Sequence, residues 1–294
     1  MTDHAPAPAG YDCAFVLGGG GSLGAHEVGM LQALLDAGIR PDLVLGTSVG
    51  AINGALVAAD PSPASVERLS ELWQGMGRAG VFAGSLADRV GTAVRSRTHL
   101  YSNGPLRALL EEDLGKLAFE DLAVPFQCVA ACVERSAERW FSSGPLVPAI
   151  LASSAVPGLL PPVRVDGEHF LDGGLVNSIP VGRAVALGAR TVYVLQVGRI
   201  EQPLSVPRRP WEVASVCFEI ARRHRFARDM DDLPDDVTVH VLPTGSDPDQ
   251  RLSPARQLRH RDFGSTRERI ERAHRATAAY LEALGPDRST DPRR

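Results

Sequence analysis

The sequence predicts an α/β fold, a three-layer sandwich with a central, mostly parallel sheet. Three observations lead there. Residues 12–59 read as strand, turn, helix twice in succession, with both turns rich in glycine. A further β-α-β passage comes late, with a short helix over Val181–Leu187 and a β-branched strand over Thr191–Val197. The strands are nearly continuous apolar runs, and such strands need helices on both faces. Together these predict one α/β domain around a sheet of five or six strands.

Cys13–Leu17 is a short apolar strand, followed by the glycine run 18–21 and a helix over Gly24–Asp36. Asp42–Leu45 is the second strand. It enters Gly46-Thr47-Ser48-Val49-Gly50, after which Ala51–Ala59 reads as a buried helix that Pro61 and Pro63 end. Ser65–Met76 is amphipathic, with Val66, Leu69, Leu72 and Trp73 on one face. Residues 77–104 hold several glycines and the weakly amphipathic Leu86–Val94, and read either as a flap over a site or as a surface excursion. Pro105 suits a helix start, and Leu106–Leu114 continues it. Leu122–Cys132 is a strand with Pro125 near its beginning, and Arg139–Ser142 is a short partner. Pro148–Ser154 is a helical turn or two before the proline-rich loop 157–162. Val163–Leu171 folds as a hairpin around Asp166-Gly167 and runs into Asp172-Gly173-Gly174.

After a proline-bearing linker at 199–210, Trp211–Met230 is a basic amphipathic helix. Arg222, Arg223, His224, Arg225 and Arg228 crowd its second half. They suit either an anionic lipid surface or a solvated face paired with Asp229–Asp236. Val237–Leu242 is a strand, 243–254 a polar loop, and Leu258–Leu284 a long helical segment of alternating charge.

Gly46-x-Ser48-x-Gly50 between a strand and a helix is the pattern of a nucleophile elbow. The pattern alone is weak, so the preceding apolar strand and the following alanine-rich helix must carry it. The plainer reading is a strand-to-helix turn with Ser48 as a cap. In the elbow reading, the Val49 N–H is a candidate oxyanion donor. Gly18, Gly19, Gly20 and Gly21 form either a phosphate loop or an oxyanion loop. A dinucleotide fingerprint can be laid on Gly19, Gly21 and Gly24, but the next strand ends in Gly46 and Ser48 and offers no acidic partner. Consecutive glycines that turn N–H groups inward fit an oxyanion loop better.

A serine nucleophile needs a base. His4, His26, His99, His169, His224, His240, His260 and His274 all lack a distinctive loop context. Asp172 differs: it follows Phe170-Leu171 and precedes two glycines that permit a tight turn. Beside Ser48 it could act as the base if burial raised its pKa. Otherwise it is an aspartate in a turn.

The chain has 294 residues, 44% of them hydrophobic, which is enough for one large core. Its net charge of −4 argues against a nucleic-acid partner. Lys116 is the only lysine and lies in no motif, so Schiff-base and phosphate-lysine chemistry lose support. Cys13, Cys128, Cys132 and Cys217 form no Cys-x-x-Cys pair and read as free thiols in a reducing compartment rather than as metal ligands. No signal-peptide pattern and no run of 18 uncharged apolar residues is present. The expectation is a cytoplasmic protein, open to peripheral membrane contact. Residues 1–11 read as a flexible N-terminus, 199–284 as a C-terminal helical extension packed on the same domain, and 285–294 as a disordered tail.

Four blocks resemble the patatin-like phospholipase family, as a bacterial member. They are Leu17-Gly-Gly-Gly-Gly-Ser-Leu-Gly-Ala25 with Gly29; Gly46-Thr-Ser-Val-Gly50; Ala152-Ser-Ser-Ala-Val-Pro157 leading to Pro161-Pro-Val163; and Asp172-Gly-Gly174 with Asn177 and Pro180. The similarity runs from about residue 12 to 198, with a weak echo at Asp262-Phe263. It implies a patatin-like variant of the α/β-hydrolase arrangement, with the catalytic core at 12–198. It implies Ser48 as nucleophile, Asp172 as base, and Gly19, Gly20 and Gly21 as oxyanion donors, supported by Gly18, Gly24, Gly46, Gly50, Gly173 and Gly174. The implied reaction is hydrolysis of phospholipid or lysophospholipid esters through an acyl-enzyme, with no metal or cofactor. The sequence departs from many relatives at Leu23, where a basic residue is common. Two other readings stay open: an esterase or thioesterase on a different acyl substrate, and a catalytically silent lipid-binding or regulatory protein.

Overall fold

The computed structural model describes residues 10–78, 92, 96–197, 203–245 and 266–285. Most of the expected flap, the polar loop beyond 245, the start of the last helical segment, residues 1–9 and the tail beyond 285 lie outside the described residues.

The strands are β1 (Tyr11–Leu17), β2 (Leu43–Thr47), β3 (Phe126–Cys132), β4 (Ala137–Phe141), β5 (Val163–Val165), β6 (Glu168–Asp172), β7 (Ala189–Leu195) and β8 (Thr238–Val241). All eight belong to one sheet, ordered β5-β6-β3-β2-β1-β7-β8, with β4 also paired to β3. The pairs among β1, β2, β3, β7 and β8 are parallel, and those of β4, β5 and β6 are antiparallel. The sheet is therefore larger than the five or six strands expected. The hairpin strands β5 and β6 extend one end, and β8 pairs along β7 at the other. These strands are legible locally, but that β6 joins β3 and β8 joins β7 depends on residues far apart in sequence and leaves no local trace.

The helices are α1 (Ala25–Asp36), α2 (Val49–Ala59), α3 (Pro63–Arg78), α4 (Gly104–Leu114), α5 (Leu146–Ser153), α6 (Val181–Ala186), α7 (Pro210–Asp231) and α8 (Thr266–Ala283). Strand alternation divides them between two faces. Cys13, Phe15 and Leu17 of β1 point into a core shared with α1, α2, α3 and α8. Ala14 and Val16 point into a second core with Val181 and Ala184 of α6 and Phe226 and Met230 of α7. The four apolar residues expected on one face of α3 are all buried. No helix among the described residues is long and apolar enough to cross a membrane.

α8 lies close against α1 because Gly29 lacks a side chain. A Cβ there would fall on the Ile270 carbonyl and lie 2.8 Å from the His274 nitrogen. His274 Nε2 also donates to Asp36 at 3.0 Å. Gly29→Ala is expected to push α8 off and cost on the order of 2–4 kcal/mol. Thermal melts would read the loss, and hydrogen exchange across 266–283 would localise it. Unchanged exchange in α8 would show that the close approach is not real.

The arrangement along β3 positions the site. β4 covers one edge of β3 over Cys128–Cys132. The other edge is shared: β2 runs along Phe126–Val129, and β6 comes from the opposite direction along Ala130–Cys132. Thr47 sits opposite Val129 and Asp172 opposite Ala130. The two strands thus meet tip to tip, and the residues at their ends are brought face to face.

Candidate active site

Ser48 occupies the step between β2 and α2, with φ 56° and ψ −120°. A non-glycine residue in this region stores backbone strain of about 1–3 kcal/mol, which the surroundings must hold in place. They do so from three sides. The Ser48 N–H donates to Ser153 Oγ at 2.9 Å, and Ser154 Oγ donates to the Ser48 carbonyl at 3.2 Å. Thr47 Oγ1 donates to the Asn177 carbonyl at 2.9 Å. Gly46 and Gly50 let the turn close: a Cβ on Gly46 would lie 2.7 Å from Ala51 Cα, and one on Gly50 would fall on the Leu17 carbonyl.

Ser48 Oγ donates to Asp172 Oδ2 at 2.6 Å. The other carboxylate oxygen accepts from the Gly174 N–H at 2.8 Å. The Asp172 N–H is fixed to the Ala155 carbonyl at 2.9 Å. Gly173 allows the turn that follows, since a Cβ there would meet the Val129 carbonyl. Ser48 and Asp172 are both buried. Burial raises the Asp172 carboxyl to about 6 from its ordinary 3.8, while the bonds from Ser48 and Gly174 pull the other way. It is ionised above that value and is then a better base than a solvated carboxylate.

The glycine loop borders this pair. A Cβ on Gly19 would come 3.5 Å from Ser48 Cβ. Two of its N–H groups are already committed: Gly18 donates to Leu195 and Gly19 to Ser178, at 3.0 and 2.9 Å. This removes Gly19 from the expected oxyanion donors, because its N–H serves to fix the loop. The N–H groups of Gly20, Gly21 and Val49 meet no acceptor among the described residues. Gly21 has φ 58°, the conformation that favours glycine. A Cβ on Gly24 would strike Trp73 at 2.6 Å and Val49 Cγ2 at 2.7 Å.

Behind the loop lies a buried polar network that the sequence reading missed. Asn53 Nδ2 donates to Glu27 Oε2 at 2.7 Å and to the Gly24 carbonyl at 3.1 Å, and Trp73 Nε1 donates to Asn53 Oδ1 at 2.9 Å. Glu27 is fully buried, which raises its carboxyl well above the usual range. Three helices are tied together beneath the glycine loop. The available signal was a polar residue, Asn53, inside an otherwise apolar helix. Ser153 and Ser154 were quoted only as part of a motif, and their bonds to the elbow give that motif a physical role.

None of the histidines hydrogen-bonds Ser48 among the described residues. His26 Nδ1 donates to the Leu23 carbonyl at 2.8 Å, and burial lowers its pKa to about 4. His240 stacks on Tyr193. Among the described residues there is also no cluster of three or more His, Cys, Asp or Glu side chains able to hold a metal ion.

A strained serine at a strand-to-helix turn, bonded to a buried carboxylate and bordered by a glycine loop, places the protein in the nucleophile-elbow class of α/β folds. The family model described as patatin-like phospholipase matches residues 15–185, and the chain belongs to that family. It is 37% identical over 195 residues to the patatin-like phospholipase domain-containing protein ZK370.4 of Caenorhabditis elegans, covering 66% of this chain and 14% of the worm protein. It is 33% identical over 195 residues to lysophospholipase nte1 of Aspergillus terreus, covering 65% of this chain and 12% of the fungal one. The chain thus spans a small fraction of these relatives. Among solved structures, VipD from Legionella pneumophila aligns over 96% of this chain and 72% of its own, with TM-score 0.44 and 13% identity.

Proposed function

We propose that the protein hydrolyses acyl esters of lipids, with phospholipids or lysophospholipids as substrates, through a Ser48–Asp172 dyad. The 2.6 Å hydrogen bond between these two buried groups carries the reading. Asp172 takes the Ser48 proton as Oγ attacks the ester carbonyl. The N–H groups of Gly20, Gly21 and Val49 are the donors for the tetrahedral oxyanion. As the carbonyl re-forms, the ester C–O bond breaks and the departing alcohol receives the proton from Asp172. Water then attacks the acyl-serine, Asp172 takes its proton, and fatty acid leaves as Ser48 recovers its hydrogen. These steps need no cofactor.

Family membership and the names of the relatives support the lipid substrate. We keep 12–198 as the catalytic unit, since the dyad and the glycine loop lie within it. The segment 199–284 is an extension that packs on it through α7, β8 and α8. A bacterial, cytoplasmic member in peripheral contact with membranes is part of the same proposal, and the four free cysteines support a reducing compartment.

The test is fatty-acid release from lysophosphatidylcholine, phosphatidylcholine and p-nitrophenyl butyrate across pH. Lipid hydrolysis is expected, with kcat/KM rising as pH passes through about 6 and level above it, since the base must be ionised. A flat profile from acid to neutral pH would remove Asp172 as the base. Hydrolysis of the short ester alone would make the protein a general esterase. Folded protein that neither turns over nor labels with a fluorophosphonate would be a binding protein.

A further inference from the structure

Arg222 is the buried charge that the dyad leaves unused. It lies in the second half of α7 and is 5% exposed. Its Nε and Nη2 have no hydrogen-bond partner among the described residues, and Nη1 reaches Glu219 only at 3.5 Å. Glu219 also stands 3.5 Å from Arg223, so one carboxylate serves two cations. A guanidinium stripped of water, with two of its nitrogens unbonded and its one carboxylate shared, is costly unless a further acceptor comes to it.

The face of α7 that carries Arg222 is turned to the site. Phe218 precedes it by one turn, and residues four apart share a helix face. The Phe218 ring lies where a Cβ on Gly174 would be, 2.6 Å away, two residues past the dyad carboxylate. On the other side, the Arg222 charge is felt by Glu27, the acid behind the glycine loop. Arg222 therefore lies one helical turn from the residue that packs on the Gly173–Leu175 turn. Burial raises the Glu27 carboxyl well above the usual range. Arg222 thus keeps two guanidinium nitrogens available to an acceptor.

We propose that Arg222 binds a phosphate oxygen of the substrate headgroup and so selects esters that carry a phosphodiester over neutral ones. This rests on the lipid-hydrolase reading above. In a phospholipid the phosphorus lies several bonds from the ester carbonyl, which suits an anion site in the cleft but away from the dyad. The planar fork of guanidinium donors matches phosphate geometry.

Two measurements on the full chain test it: kcat/KM on lysophosphatidylcholine against monoacylglycerol of the same chain, and calorimetric binding of glycerophosphocholine or inorganic phosphate. Arg222→Met is expected to lower the phosphodiester-to-neutral ratio on the order of tenfold to a hundredfold and to abolish glycerophosphocholine binding. Arg222→Lys keeps the charge but loses the fork, so it should retain weakened binding. Should Arg222→Met fail to fold, the lysine variant still decides: binding equal to wild type would overturn the proposal. A wild type that binds neither probe, or a ratio unchanged in both variants, would overturn it as well. Binding of inorganic phosphate at equal strength would make the site one for free phosphate and overturn the headgroup assignment. A purely structural Arg222 would lower both activities together. Loss of the dyad reading would show separately, as neutral-ester hydrolysis that survives Ser48→Ala.

Discussion

Ser48→Ala is expected to lower kcat on every ester substrate on the order of 10^5- to 10^6-fold, and Asp172→Asn by about 10^4-fold. The two effects should not add, because the proposed nucleophile and base share a 2.6 Å hydrogen bond and would act as one unit. Fluorophosphonate labelling should vanish in Ser48→Ala and slow sharply in Asp172→Asn. Esterase activity that persists without Ser48 would sink the mechanism.

The Asp172 variant should also change stability, in a direction a surface aspartate would not show. The carboxyl sits near 6 in the fold against an ordinary 3.8. The folded protein binds that proton more tightly than the unfolded chain. This stabilisation is complete below the unfolded value and is lost as pH rises through about 6. Above that pH the ionised carboxylate weakens the fold. Asp172→Asn removes the charge and keeps an acceptor for Gly174. It should melt higher than wild type at pH 8, by an amount on the order of 1–3 kcal/mol, and lose that advantage at pH 4. Equal melting temperatures at pH 8 would show that the buried charge is relieved by something else.

The second large effect is expected at Gly50. A Cβ there would fall on the Leu17 carbonyl and come 2.9 Å from the Gly18 carbonyl oxygen. These atoms are backbone, at the point where β1 opens into the glycine loop, so no side chain can swing aside. Gly50→Ala should cost about 3 kcal/mol or more, or roughly ten degrees in Tm. Activity should fall further than stability, because the displaced segment carries the Gly20 and Gly21 N–H groups. Gly10→Ala, where nothing lies within 4 Å, is the matched control. A Gly50→Ala protein that melts and turns over like the control would disprove the close contact between elbow and loop.

Much of this was readable from residues alone, for a physical reason. Strand and helix periodicity are local, so α1, α2, α3 and the β1 and β2 strands emerge within a few residues of where they lie. The elbow was legible because only small residues fit beside a strained serine, and that requirement is written as Gly46 and Gly50. Asp172 stood out because two glycines follow it. The glycine run suggested an anion loop, but which of its N–H groups are bonded within the protein was not legible. Gly19 is tied by Ser178, a residue far along the chain.

The sequence by itself determined the α/β class, the strained serine and the glycine-flanked acid, because each rests on backbone conformation within a short stretch. Only the tertiary structure decided that Ser48 and Asp172 meet, because that depends on β2 and β6 ending against neighbouring positions of one edge of β3. It also decided that the Asp172 carboxyl is buried and raised, since desolvation is a property of the packed surroundings. It buried Arg222, one of several arginines in a basic run, in the interior. Contacts between residues more than a hundred positions apart, and the loss of water that follows, are set by how the layers pack and leave no mark on the local sequence.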